Sequence, residues 1–317
     1  MTTQIVTADI GGTHARFAIA EITDGCVQSL GPEIVLRAAD YPGVGAAWTA
    51  FAAAIGRPLP SAAAFAVAAP ITPGLLRFTN SPWIIDPGTL AADLGLDTAT
   101  IINDFAAVAY AVSALPQAAF RQLCGPDIAL PRLGNISIIG PGTGLGIAQL
   151  LRTTNGDHVI ATEGAHIGFA PVDAFDDALL ARLRHRHGRV SVERLVSGPG
   201  LRNFLDPEIP FAGDDKALWS AAFAGTDAAA GFALARFAMT LGSFVGDAAL
   251  MHYPVGIVIA GGLGLRLADY LPTSGFAARL VAKGRYETRL AALPVKLLTH
   301  PQPGLYGAAA AFAKDHP

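Results

Sequence analysis

Short apolar runs punctuated by glycine pairs set the pattern of this chain, most clearly between Ile5 and Ala20. An apolar segment ends in Asp9-Ile10, Gly11-Gly12-Thr13 follows, and an alternating run resumes at Arg16-Phe17-Ala18-Ile19-Ala20. Two strand-like segments around a Gly-Gly pair predict a β-hairpin. The plan recurs in mid-chain, with an apolar strand over 135–139, the turn Gly140-Pro141-Gly142-Thr143-Gly144-Leu145-Gly146, and a returning run over 147–151. Such a repeat predicts two related halves that face a common ligand.

Elsewhere the period changes. After an apolar segment at Ile34-Val35-Leu36, an Ala-rich helix is predicted over 44–55, stopped by Gly56 and Pro58. A buried strand is predicted over 63–69, ending at Pro70. Another, Thr100-Ile101-Ile102, leads through Asn103-Asp104 into a helix over 105–112. Phe78-Thr79-Asn80-Ser81-Pro82-Trp83 reads as a polar loop stiffened by Pro82, either covering a small ligand or anchored on the surface by Trp83. The stretch 116–131 reads as a connection. Beyond the second hairpin, helices are predicted over 174–186, 192–195, 201–205, 216–223 and, longest, 228–251, eased by Gly242 and Gly246. A buried strand over 255–260 runs into Gly261-Gly262-Leu263-Gly264, with a helix over 265–271. A strand over 295–298, a turn at 301–304 and a helix over 305–314 close the pattern. Strands alternating with helices predict α/β sheets.

Composition narrows the function classes. The 317 residues suit two domains, and 52% hydrophobic with 15% charged residues argues for a well-buried globular chain. A formal net charge of -3, with no Lys/Arg cluster interleaved with aromatics, gives a nucleic-acid partner no electrostatic footprint. The dense basic patch, Arg182 to Arg189, reads as a solvated helix face. Cys26 and Cys124 have neither disulfide-framework nor metal-site spacing, which fits a reducing compartment. The start, Met1-Thr2-Thr3-Gln4, lacks a signal peptide's charge and apolar core, and no apolar run reads as membrane-spanning. The expectation is a soluble cytoplasmic protein with no membrane or nucleic-acid partner.

The turns carry the chemistry. Unobstructed consecutive backbone N–H groups form a concavity that suits an anion, and Asp9, leaving its strand just before the turn, is placed to hold a hydrated divalent cation. Thr13 adds a hydroxyl, and phosphate with Mg²⁺ is the ligand this chemistry fits. Taken alone, the same residues also read as a plain hairpin. Neither Gly-Lys-Ser/Thr nor Gly-x-Gly-x-x-Gly occurs, so the common nucleotide motifs are excluded. Three Gly-rich turns remain, each after a strand: one beside a carboxylate, one around Thr143, and one Gly-Gly pair at a strand-to-helix junction.

The ordered set Asp9-Ile10-Gly11-Gly12-Thr13, Asn103-Asp104-Phe105, Gly140 to Gly146, Glu163-Gly164-Ala165-His166, Glu193-Arg194 with Ser197-Gly198-Pro199-Gly200, Ala260-Gly261-Gly262 and Pro303-Gly304 spans nearly the whole chain. It resembles the bacterial ATP-dependent glucokinase family. The resemblance implies the two-domain, actin-like ATPase (ribonuclease H-like) α/β fold shared with hexokinases and Hsp70 chaperones, with an interdomain cleft. A small domain would combine residues 1–114 and 300–317, and a large domain residues 115–299. It further implies ATP with Mg²⁺ as cofactors, D-glucose as the substrate phosphorylated at its 6-hydroxyl, a role in glycolysis, and a homodimer. Gly11, Gly12 and Thr13 would form the first phosphate loop, with Asp9 holding Mg²⁺ through water. Gly142, Thr143 and Gly144 would form the second, and Gly261 and Gly262 would lie along the adenosine.

Phosphoryl transfer needs phosphate, metal and acceptor hydroxyl held in line, and a carboxylate to take the hydroxyl proton. Read from the residues alone, Asn103-Asp104 is first a helix N-cap pair. The resemblance instead makes Asp104 the catalytic base, and the two jobs are compatible. It also places Asn103, Asp104, Glu163, His166 and Glu193 around glucose; without it, His166 reads as structural and Glu193 as a helix-start charge. Family members commonly carry Glu-Gly-Gly-His-x-Asp where this chain has Ala165 and Gly168, which removes a carboxylate that would support His166.

Rival readings are separable. The related zinc-containing sugar kinases and repressors need a Cys-x-Cys-Gly cluster that is missing here, and the eight residues before Asp9 leave no room for a DNA-binding domain. A kinase of fructose or mannose keeps every motif. A non-catalytic actin-like ATPase keeps the turns but has no use for the Asn103-Asp104, Glu163-His166 and Glu193 set.

Overall fold

A computed structural model describes residues 2–78, 81–209 and 211–316. They group into two compact units, Met1–Pro116 with Val159–Ala161 and His300–Pro317, and Gln117–His158 with Thr162–Thr299. In chain order the first unit holds β1 (Thr2–Ile10), β2 (His14–Thr23), β3 (Cys26–Leu30), β4 (Ile34–Arg37), α1 (Val44–Ile55), β5 (Ala62–Val67), β6 (Leu76–Arg77), β7 (Ile84–Ile85), α2 (Leu90–Asp93), β8 (Thr98–Asn103) and α3 (Asp104–Ala114). Its sheet runs β3-β2-β1-β5-β8, with β4 also on β2. The predicted hairpin is present, with Asp9 opposite Arg16 and Ile10 opposite Ala15, while β5 and β8 join parallel to β1.

The second sheet contains β9 (Phe120–Cys124), β10 (Gly134–Pro141), β11 (Leu145–Thr153) and β12 (Gly156–Thr162), followed in sequence by α4 (Ala174–His187), α5 (Asp215–Ala224) and α6 (Ala228–His252). Then come β13 (Gly256–Ile259), α7 (Gly261–Arg266), α8 (Phe276–Val281), α9 (Glu287–Ala291) and β14 (Val295–Leu298). The order is β12-β11-β10-β13-β14-β9. Strands β11-β10-β13-β14 repeat β2-β1-β5-β8, a hairpin followed by two parallel strands. The glycine-turn repeat read from the sequence is thus a repeat of topology.

The last helix, α10 (Pro303–Asp315), belongs to the first unit. It explains why β5 is apolar throughout. Ala63, Phe65 and Val67 face Ala47, Trp48 and Phe51 of α1, whereas Ala64 and Ala66 join Ala107 of α3 and Ala308, Ala309 and Phe312 of α10. With period-two alternation, a strand covered on both faces must be apolar at every position. Phe17 stacks on Phe51 at 5.2 Å and meets Trp48 edge-on at 6.3 Å. On the opposite face small side chains let helices touch: a Cβ on Gly307 would lie 1.7 Å from the Ala107 carbonyl oxygen.

Several expectations need correction. The stretch 116–131 contains β9, antiparallel to β14; flanking prolines disguised it as a connection. The stretches 192–195 and 201–205 form 3₁₀ turns, Val192–Arg194 and Pro199–Phe204, not α-helix. The helix expected over 265–271 starts at Gly261 and stops at Arg266, because tertiary packing overrides the poor helix propensity of its glycines. By length and composition α6 is apolar enough to cross a bilayer, contrary to the sequence reading, although 67% of its most apolar window is buried within the protein. Gly242 and Gly246 bring it against α8, where added Cβ atoms would meet the carbonyl oxygens of Phe276 at 2.2 Å and Leu280 at 2.3 Å.

Candidate active site

The first turn spans the four residues between Ile10 and Ala15, and ties the Gly11 amide to the His14 carbonyl at 2.9 Å. That bond occupies the amide of Gly11, one of the three residues expected to form the first phosphate loop. Neither Gly11 nor Gly12 has a left-handed backbone. Their value lies in the uncovered peptide, not in a special φ.

Asp9 stands at the root of this turn, its side chain a quarter exposed, with the Arg16 guanidinium 3.7 Å away. Burial pushes its carboxyl above the usual range; Arg16 opposes that push and Glu33 adds to it. The start of α10 closes on the same carboxylate, where a Cβ on Gly304 would meet Asp9 Oδ2 at 2.7 Å. The Thr7 hydroxyl pins this helix start by donating to the Leu305 carbonyl at 2.7 Å. No group of three or more His, Cys, Asp or Glu among the described residues could hold a metal ion. A lone carboxylate suits a hydrated Mg²⁺ that takes its remaining ligands from phosphate and water.

Asn103 ends β8 and caps α3. Its Oδ1 accepts from the amides of Phe105 at 2.9 Å and Ala106 at 3.1 Å, while Nδ2 donates to the Ala69 carbonyl at 3.4 Å. The capping expectation holds for Asn103, so its amide nitrogen is the group left to address a ligand. Asp104 opens the helix half-buried, with Oδ1 accepting from the Phe105 amide at 2.8 Å. A carboxylate in a first helical turn interacts favourably with the helix dipole.

The second turn is tighter, with three residues between Pro141 and Leu145. Gly142 donates to the Gly144 carbonyl at 2.8 Å and accepts from the Gly198 amide at 2.7 Å. The Leu145 amide donates to Glu193 Oε2 at 3.0 Å. Thr143 stands exposed at the tip. Gly144 is small because a Cβ there would lie 2.6 Å from that same Oε2. Glu193 therefore serves a distant backbone, not its own helix start.

Two segments far apart in sequence meet beside it. The Phe169 amide donates to the Val190 carbonyl at 3.0 Å, and the Val192 amide to the Ile167 carbonyl at 3.1 Å, around a bridge of Gly168 with Ser191. This short ladder brings the segment bearing Glu163 and His166 to the segment bearing Glu193. Glu163 Oε2 lies 3.7 Å from His166 Nε2, and both side chains are more than half exposed, so His166 is not a core histidine. Arg189, read from the sequence as part of a solvated face, donates to the His166 carbonyl at 2.6 Å. In place of the carboxylate that the resemblance leads one to expect, Gly168 provides backbone pairing, and Arg189 holds the loop.

Gly261 has φ +82 and lies against the strand end of the second hairpin, where a Cβ would meet the Pro141 carbonyl oxygen at 2.8 Å. Gly262 faces open space. In the loop 78–83, Thr79 and Asn80 lie outside the described residues, but Trp83 is 1% exposed and donates from Nε1 to the Tyr41 carbonyl at 2.9 Å, in keeping with the anchored alternative of the two readings given for the loop. Sequence reasoning missed what Thr7, Arg189 and Gly304 do. Only Gly304, within a quoted Pro-Gly motif, carried a signal.

Comparison with known proteins places the chain in a lineage. The family model described as Glucokinase matches residues 6–315. A curated glucokinase of Zymomonas mobilis is 50% identical over 319 residues, covering 99% of this chain and 98% of its own. A glucokinase of an Antarctic psychrotroph superposes with a TM-score of 0.82 at 32% identity, over 97% of this chain and 98% of its own. One from Balamuthia mandrillaris, solved in complex with glucose, shares the fold with a TM-score of 0.80 at 22% identity, over 99% and 94%.

Proposed function

The chain belongs to the glucokinase family, and from that premise we propose which of its residues carry the reaction, transfer of the γ-phosphoryl of ATP to the 6-hydroxyl of D-glucose. The products are glucose 6-phosphate and ADP. The observation that carries the assignment is the ladder of 167–169 with 190–192, because it gathers Glu163, His166 and Glu193 next to a glycine turn suited to phosphate.

A sugar is recognised by fixed donors and acceptors, since a hydroxyl-sized mismatch leaves buried polar groups unpaired. Glu163 and Glu193 accept hydrogen bonds from sugar hydroxyls, His166 contributes an imidazole nitrogen, and Asn103 donates through Nδ2. Asp104 orients the 6-hydroxyl and accepts its proton as the phosphorus–oxygen bond forms. The amides of Gly12, Thr13, Thr143 and Gly144 bind phosphate oxygens, with Gly11 and Gly142 closing their turns. Gly261 and Gly262 leave room for the flat face of adenosine. Asp9 would hold a hydrated Mg²⁺, and the ion would supply neutralisation of phosphate charge.

The test is product formation by the intact protein across glucose, fructose and mannose at fixed ATP. Glucose 6-phosphate from glucose at the highest kcat/KM is the expected result. ATP consumption that needs no sugar would overturn the reading. Asp104→Ala is expected to lower kcat by about 10³-fold or more while leaving ADP binding within about twofold. Near-normal kcat in that variant removes Asp104 from the mechanism.

A further inference from the structure

Glu193 does more here than a sugar ligand needs to do. We infer that Glu193 is a positioning residue for the nucleotide, holding the 142–145 turn in its phosphate-binding shape through the Leu145 amide; the inference rests on reading that turn as a phosphate loop. Three features of the structure carry it.

The first is the contact itself, Leu145 N–H to Glu193 Oε2 at 3.0 Å, a charge-assisted hydrogen bond between segments remote in sequence. The second is steric. Gly144 has no left-handed φ, yet a Cβ there would lie 2.6 Å from Oε2, so a side chain at this position would push the carboxylate off the Leu145 amide. The third is the rigidity of the support. Val192 is 4% exposed and bonded to Ile167, so the backbone next to Glu193 is anchored. On the other side of the turn, Gly198 donates to Gly142 and accepts from Trp219 Nε1 at 2.8 Å, with Trp219 packed edge-on against Phe237 at 5.2 Å. The turn is thus clamped at both ends.

A glycine-rich turn loses much backbone entropy when it is ordered, so a fixed acceptor that orders it in advance strengthens phosphate binding. Fixing the 144–145 peptide directs the outward donors to Thr143 and Gly144. The carboxylate's charge works against a nearby phosphate, so two effects of opposite sign must be separated. Among the described residues Oε1 takes no hydrogen bond, which leaves it for a sugar hydroxyl. One side chain then touches both ligand sites, and the energetic coupling it creates is reciprocal.

The experiment measures ADP binding to the full chain without sugar by calorimetry, alongside KM for glucose and kcat, with folding checked by circular dichroism and Tm. Glu193→Ala loses the acceptor and is expected to raise the ADP Kd about five- to tenfold. Glu193→Gln keeps an acceptor without the charge, and its ADP Kd is expected to stay within about twofold of wild type or to fall. Both variants raise the glucose KM if Glu193 binds sugar. Gly144→Ala, which displaces the carboxylate, is expected to raise the ADP Kd and the glucose KM together. Wild-type ADP affinity in a folded Glu193→Ala overturns the inference. Failure of the wild type itself to bind ADP overturns the phosphate-loop reading instead.

Discussion

The two glycine hairpins share a topology and differ in how each acquires its carboxylate. In the first, Asp9 comes from the strand that enters the turn, and the start of α10 closes on it at Gly304. In the second, the strand ends in Gly140-Pro141, with no acid, and Glu193 arrives from a 3₁₀ turn to bind the Leu145 amide. The first carboxylate has the Arg16 guanidinium as its neighbour, at 3.7 Å. The second commits one oxygen, Oε2, to a backbone amide. One repeated frame thus supports two tasks, because strand order fixes where a turn sits and remote segments fix what the turn presents.

The largest test of this contrast removes the first carboxylate. Asp9→Ala is expected to lower kcat by about 10²- to 10³-fold and to raise the Mg²⁺ concentration needed for half-maximal rate, as loss of charge neutralisation in phosphoryl transfer requires. An effect no larger than that of Glu193→Ala, with unchanged Mg²⁺ dependence, breaks the division of labour. Next come two glycines of α10 with different duties. Gly307→Ala drives a Cβ into the Ala107 carbonyl and is expected to destabilise the protein by about 3 kcal/mol, read as a large fall in Tm. Gly304→Ala crowds Asp9 and is expected to lower kcat about tenfold with a much smaller Tm change. If the two substitutions behave alike, the start of α10 is only structural.

The smallest effect sharpens the picture through pH. Burial holds the Asp9 pKa above its unfolded value, so the folded protein binds this proton more tightly than the unfolded chain does. Ionised Asp9 therefore costs stability at neutral pH, and the cost fades as pH falls through the folded pKa. Asp9→Asn is expected to raise Tm by about 1–3 °C at pH 7, with the gain shrinking toward pH 4, while activity is lost. A lower Tm at pH 7 would show that Arg16 outweighs burial.

The sequence by itself determined the two hairpins, their glycine turns and the identity of the chemical groups. Alternation around Gly11-Gly12 and around Gly142-Thr143-Gly144 is local information, and so are the Asn103 cap and the helix stop at Gly56, which takes φ +68. Only the tertiary structure decided what those groups hold. Arg189 was one of several basic residues near a helix end, indistinguishable from its neighbours until its guanidinium met the His166 carbonyl. β9 looked like a connection because an edge strand is made by its partner, β14. Glu193 could be read as a helix-start charge or a sugar contact, and nothing in its own segment pointed to Leu145. The physical reason is range: φ/ψ preference and apolar period act over a few residues, whereas a carboxylate is committed by whichever backbone amide the folded chain brings within 3 Å.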